Sequence, residues 1–242
     1  MDILVFTAHP DDAELTMGGT IAKLTLAGIK VGVIDLSEAQ LSTRGTIELR
    51  RKEAEAASEI LGIHVRENLR LHDGKLKPDE KTTSLVVSKI RQYKPNIIFG
   101  PYFNDRHPDH IGTSNIIKEA MFFSGLPKFR TSFEGKEQEA FRPHKLYYFM
   151  HAYDFEPSFL VDISSTFEMK MRSVMAYSSQ FFNPKSDEPE TFISQPNFLK
   201  FIEARARMYG FQIGKDYAEP FYCEEKIEFD LINQIKNYEA LT

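Results

Sequence analysis

Apolar residues open the chain as a short unbroken block. Ile3-Leu4-Val5-Phe6-Thr7-Ala8 lacks alternation and is partly β-branched. That pattern predicts a strand covered on both faces, as parallel strands are. His9-Pro10-Asp11-Asp12 ends the block. From about Met17 to Ala27 the spacing becomes helical, with Ile21, Leu24 and Leu26 apolar and Gly28 as a stop. Residues 30–36 predict a second strand, so the chain opens β-α-β, the unit of a parallel sheet.

The rhythm continues for about half the sequence. A polar loop covers 37–45, and a helix covers 46–61 with Thr46 as N-cap and Gly62 as stop. Its apolar face is predicted to be Leu49, Ala54, Ala57, Ile60 and Leu61. A short strand is placed at 65–71, a helix at 85–93 with Pro95 just beyond, and a buried strand at 96–100. A loop over 101–110 leads to a helix from about 113 to 123. After Leu126 the pattern changes. Residues 127–144 are polar loop, 146–151 and 159–163 predict strands, and 167–177 and 198–209 predict helices. The segment 183–196, rich in Pro, Ser and Asp, reads as a mobile flap. The expected fold is therefore α/β: a doubly wound, mostly parallel, Rossmann-like sheet in a single domain over 1–242. Residues 1–125 form its core, and 126–242 complete the sheet and cover the site with the flap and C-terminal helices.

Composition narrows the function. Hydrophobic residues make up 42% of the 242, too many for a disordered chain. A net charge of −5 argues against nucleic acid, which calls for a basic footprint. Cys223 is the lone cysteine, so neither an intrachain disulfide nor a Cys-rich zinc cluster is available. There is no basic leader region and no apolar run approaching the ~20 residues of a membrane span. A cytoplasmic enzyme with no membrane partner is expected.

Two acid–histidine clusters carry the candidate chemistry. His9-Pro10-Asp11-Asp12 follows the first strand, and Asp105-Arg106-His107-Pro108-Asp109-His110 follows the strand at 96–100. In a doubly wound sheet both loops open at the carboxyl edge, where ligands bind. Two imidazoles and a carboxylate make a three-donor set that leaves a coordination position open, as catalytic zinc does. The remaining acids and histidine can serve as base, acid or oxyanion donor. Taken singly, either loop also reads as an ordinary turn, with Pro fixing φ and Asp capping the next helix. His64, His72, His144 and His151 have no such acidic partner in sequence and read as surface or core histidines.

These motifs resemble the PIG-L/LmbE-like family of zinc-dependent N-acetylglucosaminide deacetylases. Ala8 to Asp12 with Gly18-Gly19 match its first signature, and His107 to His110 match its second. Similarity to the bacillithiol-pathway branch, which deacetylates N-acetylglucosaminyl malate, extends through 35–39, 45–50, Asp105-Arg106, 179–181 and 217–219. The resemblance implies His9, Asp12 and His110 as ligands of zinc, with iron(II) or cobalt able to use the same set. It implies Asp11 as general base, His107 as oxyanion stabiliser in its protonated form, and Asp109 as the residue orienting His107. It implies Arg50 and Arg106 as substrate contacts, an amino-sugar substrate and a homo-oligomer. One departure stands out: family members use a tyrosine from a C-terminal segment at the oxyanion, and Phe198 falls near that position here. Deacetylation of another amino sugar or amide, and a non-catalytic sugar- or metal-binding protein, are the alternatives.

Overall fold

The computed structural model describes residues 1–184 and 187–228. Its main sheet has seven strands: β1 (Ile3–Thr7), β2 (Val31–Ser37), β3 (Val65–Leu71), β4 (Ile97–Pro101), β7 (Lys145–Phe149), β8 (Phe159–Asp162) and β9 (Ala218–Tyr222). Their order is β3-β2-β1-β4-β7-β9-β8. The first five are parallel, while β9 runs antiparallel to both β7 and β8. Every residue of β1 and β2 is buried, which explains why neither alternates in sequence.

Alternate side chains of β1 feed two separate cores. Leu4 and Phe6 pack with Val86, Ile90 and Ile116. These come from α3 (Glu80–Tyr93) and α4 (Pro108–Ser124), on one face of the sheet. Ile3 and Val5 pack with Ala13, Met17 and Ile21 of α1 (Asp12–Leu26) on the other. That second face also carries α2 (Ile47–Leu61) and α5 (Phe167–Met175). The helix α6 (Phe198–Gln212) joins it through Phe198 and Ile202. The chain winds outward through β2 and β3, then crosses to β4 on the other side of β1. The carboxyl ends of β1 and β4 are therefore the switch point at which a crevice opens.

Several boundaries differ from the sequence expectation. Helix α1 begins at Asp12, five residues before Met17, because its first turn is buried all round and shows no periodicity. It breaks at Met17 (φ −134°) and restarts. The backbone N–H groups of Gly19 and Thr20 donate to Glu219 of β9 (3.0 and 2.7 Å), and Lys170 Nζ pairs with the same carboxylate at 2.5 Å. Helix α3 begins at Glu80, not 85, under a capping box of Asp79 and Thr82. Helix α4 begins at Pro108, so Asp109 and His110 sit in a helical turn, not in a loop. Within 127–144 lies a hairpin of β5 (Ser132–Phe133) and β6 (Lys136–Glu137), turned by Glu134 and Gly135 at positive φ. Strand β9 had no sequence signal, since Pro220 within it argues against a strand. Leu49 is 41% exposed, and the buried face of α2 carries Arg50 and Glu53 in its place. No helix among the described residues is long and apolar enough to cross a membrane.

Candidate active site

The two loops converge. Asp11 is the N-cap of α1 at φ 111°, a left-handed conformation that costs a non-glycine residue of order 1–3 kcal/mol. Asp12 opens the helix. Its Oδ2 accepts from the backbone of Ala8 and His9 (3.0 Å each), which frees Oδ1 to face the imidazoles. His110 Nε2 lies 3.3 Å from that Oδ1 and His151 Nε2 lies 3.1 Å from it. His9 Nδ1 is 3.9 Å from Asp12 Oδ2, and the rings of His9 and His110 are 5.6 Å apart. Two groups of donors each fall within 4.8 Å: His9, His107 and His110, and Asp12, His110 and His151.

The far nitrogens are held in turn. His110 Nδ1 meets Asp105 Oδ1 at 2.8 Å, and Asp105 also accepts from the N–H groups of His107 and Ala152. His9 Nε2 meets Asp73 Oδ1 at 3.0 Å and lies 3.6 Å from Asp109 Oδ2. Carboxylates behind ligating imidazoles orient them and raise their basicity. Burial opposes charge on both rings. Even so, Asp109 and Asp73 raise His9 to about 10, and Asp12 with Asp105 raises His110 to about 9. Asp12 is also opposed by burial, yet His110 and His151 hold it well below the usual carboxylate range.

Asp11 is treated differently by its surroundings. Burial pushes its carboxyl up to about 7, against the pull of the Arg50 guanidinium. Arg50 Nη1 donates to Asp11 Oδ2 and to the Pro10 carbonyl, both at 2.7 Å, and Nη2 donates to Ser42 Oγ. Arg50, expected at the substrate, thus lines the cleft with its guanidinium engaged on Asp11. Asp109, expected to orient His107 by its carboxylate, meets it through the backbone: Asp109 N–H donates to His107 Nδ1 at 3.2 Å. The Asp109 carboxylate accepts from Gly74 and Leu76. Burial and the neighbouring His9 and His110 lower the His107 pKa, so a neutral ring replaces the expected imidazolium.

These residues line a cleft of about 400 Å³, within the usual size of a small-molecule site. The flap contributes Thr191, Phe192 and Ile193. Arg106, exposed at the rim, stacks its guanidinium 4.5 Å from the Phe192 ring centroid. A hollow of similar size, about 440 Å³, lies between α2 and β3. It shares Pro10 and Arg50 with the cleft but has no histidine, so the chemistry belongs to the cleft.

Residues 4–121 match the family model described as PIG-L, GlcNAc-PI de-N-acetylase. A diacetylchitobiose deacetylase of Thermococcus kodakarensis is 32% identical over 90% of this chain and 80% of its own length. The chain belongs to the PIG-L family. It is accordingly an enzyme, a deacetylase that hydrolyses an amide bond. A probable N-acetyl-alpha-D-glucosaminyl L-malate deacetylase of Bacillus cereus is 27% identical over 74% of this chain and 83% of its own length. The crystal structure of a conserved protein from Thermus thermophilus superposes with a TM-score of 0.85 at 35% identity, covering 95% of this chain and 97% of that one.

Deacetylases of the PIG-L family depend on a metal ion, and the donor set fits one. Imidazoles with a single carboxylate suit zinc, iron(II) or cobalt better than magnesium, which prefers oxygen. Two members of the site escaped the sequence reading. His151 has no acidic neighbour in the chain, but it lies two residues past β7, a third parallel strand ending at the same edge. Asp73 had only its place just after β3 to mark it. His64, His72 and His144 are exposed on the surface, as read. Phe198 is buried between the rings of Phe181 and Phe192 and offers no donor.

Proposed function

We propose that this PIG-L protein is a zinc-dependent deacetylase of an N-acetylglucosaminide. The observation that carries the reading is Asp11, a buried acid with a pKa near neutrality beside a cluster of imidazoles and one carboxylate. A site for binding alone has no use for such a base. His9, Asp12 and His110 would hold the ion, with His151 beside them. A divalent ion there supplies Lewis acidity, polarising an amide carbonyl and acidifying water.

The protein's own residues do the rest. Asp11 accepts the proton of the attacking water and returns it to the amine as the C–N bond breaks. Arg50 fixes Asp11 Oδ2 and leaves Oδ1 for the proton. His107 Nδ1 accepts a backbone N–H, so the neutral ring carries its proton on Nε2 and can donate it to the developing oxyanion. Asp109 acts on His107 through the start of α4 and on the 74–76 backbone. The products are acetate and a free amino sugar.

For the aglycone we infer L-malate, which would place the enzyme in cytoplasmic bacillithiol biosynthesis. Support comes from the likeness through 35–39, 45–50 and 217–219, and from Arg106, exposed at the rim where it can grip a carboxylate. A chitin-derived disaccharide is the second reading, favoured by the Thermococcus relative and by Phe192 as an aromatic face at the mouth. An acetate-release assay on zinc-loaded protein separates them. The malate reading expects N-acetylglucosaminyl malate to exceed N,N′-diacetylchitobiose and N-acetylglucosamine in kcat/KM, with the advantage lost in Arg106→Met. For deacetylation itself, Asp11→Ala should cost on the order of 10²–10⁴ in rate. Unchanged acetate release in that variant sinks the mechanism.

A further inference from the structure

A small nook opens off the cleft beside the donor cluster. Leu15, His151 and Phe192 line both spaces, so the two meet at His151. Its far wall is Phe198 and Ile202 of α6, 8% and 2% exposed. Phe198 is wedged between Phe181 and the flap residue Phe192, with ring centroids at 6.1 and 5.7 Å. Arg205 also borders the nook, with Nη1 donating to the His151 carbonyl at 2.5 Å. About 10 Å³ remains for a water-sized sphere, room for about one small group. Walls of Leu, Ile and Phe give a water few partners, so an apolar occupant is favoured.

The place of the nook decides what it could hold. His151 Nε2 lies 3.1 Å from Asp12 Oδ1, so the nook begins one side chain from the donors that face the reacting carbonyl. An amide carbon has three substituents. Its oxygen turns toward the donors, and its nitrogen leads to the sugar, which must extend to the open mouth beside Arg106. The acyl chain is left with the inward direction.

We propose that this nook receives the methyl of the acetyl group, and that Phe192, Phe198 and Ile202 set the acyl length the enzyme accepts. The proposal rests on the deacetylase reading above. A propionyl chain adds one methylene to a space with room for one small group. Such a mismatch in an apolar pocket is worth roughly 10–200-fold in kcat/KM.

The test compares N-acetyl-, N-propionyl- and N-butyrylglucosamine as glycosides with one common aglycone, by carboxylic acid release from zinc-loaded protein. The wild type should prefer acetyl over propionyl by at least about 10-fold. Phe198→Ala should shift that ratio toward propionyl by about 10-fold or more. Phe192→Ala should shift it the same way by less. Phe192 is 44% exposed, so this variant tests the idea even if Phe198→Ala fails to fold. The ratio is measured within one protein and is insensitive to the fraction that is active. A ratio unchanged in the folded variants, with acetate still released, overturns the nook's role and leaves the deacetylase reading standing. A wild type that releases acid from none of the sugars sinks that reading, and the nook's role with it.

Discussion

Arg50→Met isolates the control of Asp11. The guanidinium donates to Asp11 Oδ2 at 2.7 Å, and both groups are buried, 6% exposed each. With charge centres about 4 Å apart, an effective dielectric near 20 gives an attraction of roughly 4 kcal/mol, an upper bound of about 3 pH units. A carboxyl beside an arginine is commonly lowered by about 1–3 units. Removing the cation should therefore raise Asp11 by that amount and move the acid limb of kcat/KM toward alkaline pH. With a limb near 7, activity at pH 7 would fall roughly 5-fold for one unit and about 500-fold for three. A bound cation lowers the absolute position in wild type and variant alike, so the comparison is the difference between their profiles. Methionine keeps most of the volume but leaves the Pro10 carbonyl and Ser42 without their donor, at about 1–3 kcal/mol each. The Tm must therefore be measured alongside. Arg50→Lys, a point charge without the fork, should shift the limb less. An acid limb that stays in place while KM rises would refute the coupling and return Arg50 to a direct substrate contact.

Three further outcomes are expected. In the metal-free protein His9 and His110 titrate at about 10 and about 9, above the ordinary 6.5, so both are charged at neutral pH. Zinc needs them neutral and should release about two protons per ion at pH 7.5, read by calorimetry in buffers of different ionisation enthalpy. The sign for folding follows: the two rings stabilise the metal-free protein fully below about pH 6.5, and this is lost as pH climbs through 9 and 10, so its Tm should fall over that window. His151→Ala should weaken zinc binding by roughly 10–100-fold in a chelator competition, and unchanged affinity would remove His151 from the site. Lys170→Met leaves Glu219 buried without its cation and should cost about 3–5 kcal/mol in denaturant unfolding, part of it recovered by Lys170→Met with Glu219→Gln.

The parallel core and half the site were legible because their causes are local. Unbroken apolar blocks at 3–8 and 96–100 belong to strands covered on both faces, and Thr46 and Gly62 bracket α2 as caps do. His9 to Asp12 and His107 to His110 lie directly after β1 and β4, so strand order alone predicted that they would meet. The early starts of α1 and α4 were hidden because a helical turn buried on all sides carries no amphipathic stripe.

What only the tertiary structure decided is which partner each charged group would find. Arg50 meets Asp11 from 39 residues away, His151 meets Asp12 from 139, and Glu219 caps the restarted half of α1 from about 200. No spacing rule reaches that far, because these pairings depend on how sheet and helices stack. The amino-acid order fixes where a strand must end. Electrostatics inside a crevice depends on everything that closes around it, so the near-neutral acid at Asp11 and the neutral His107 emerged only once the loops were packed together.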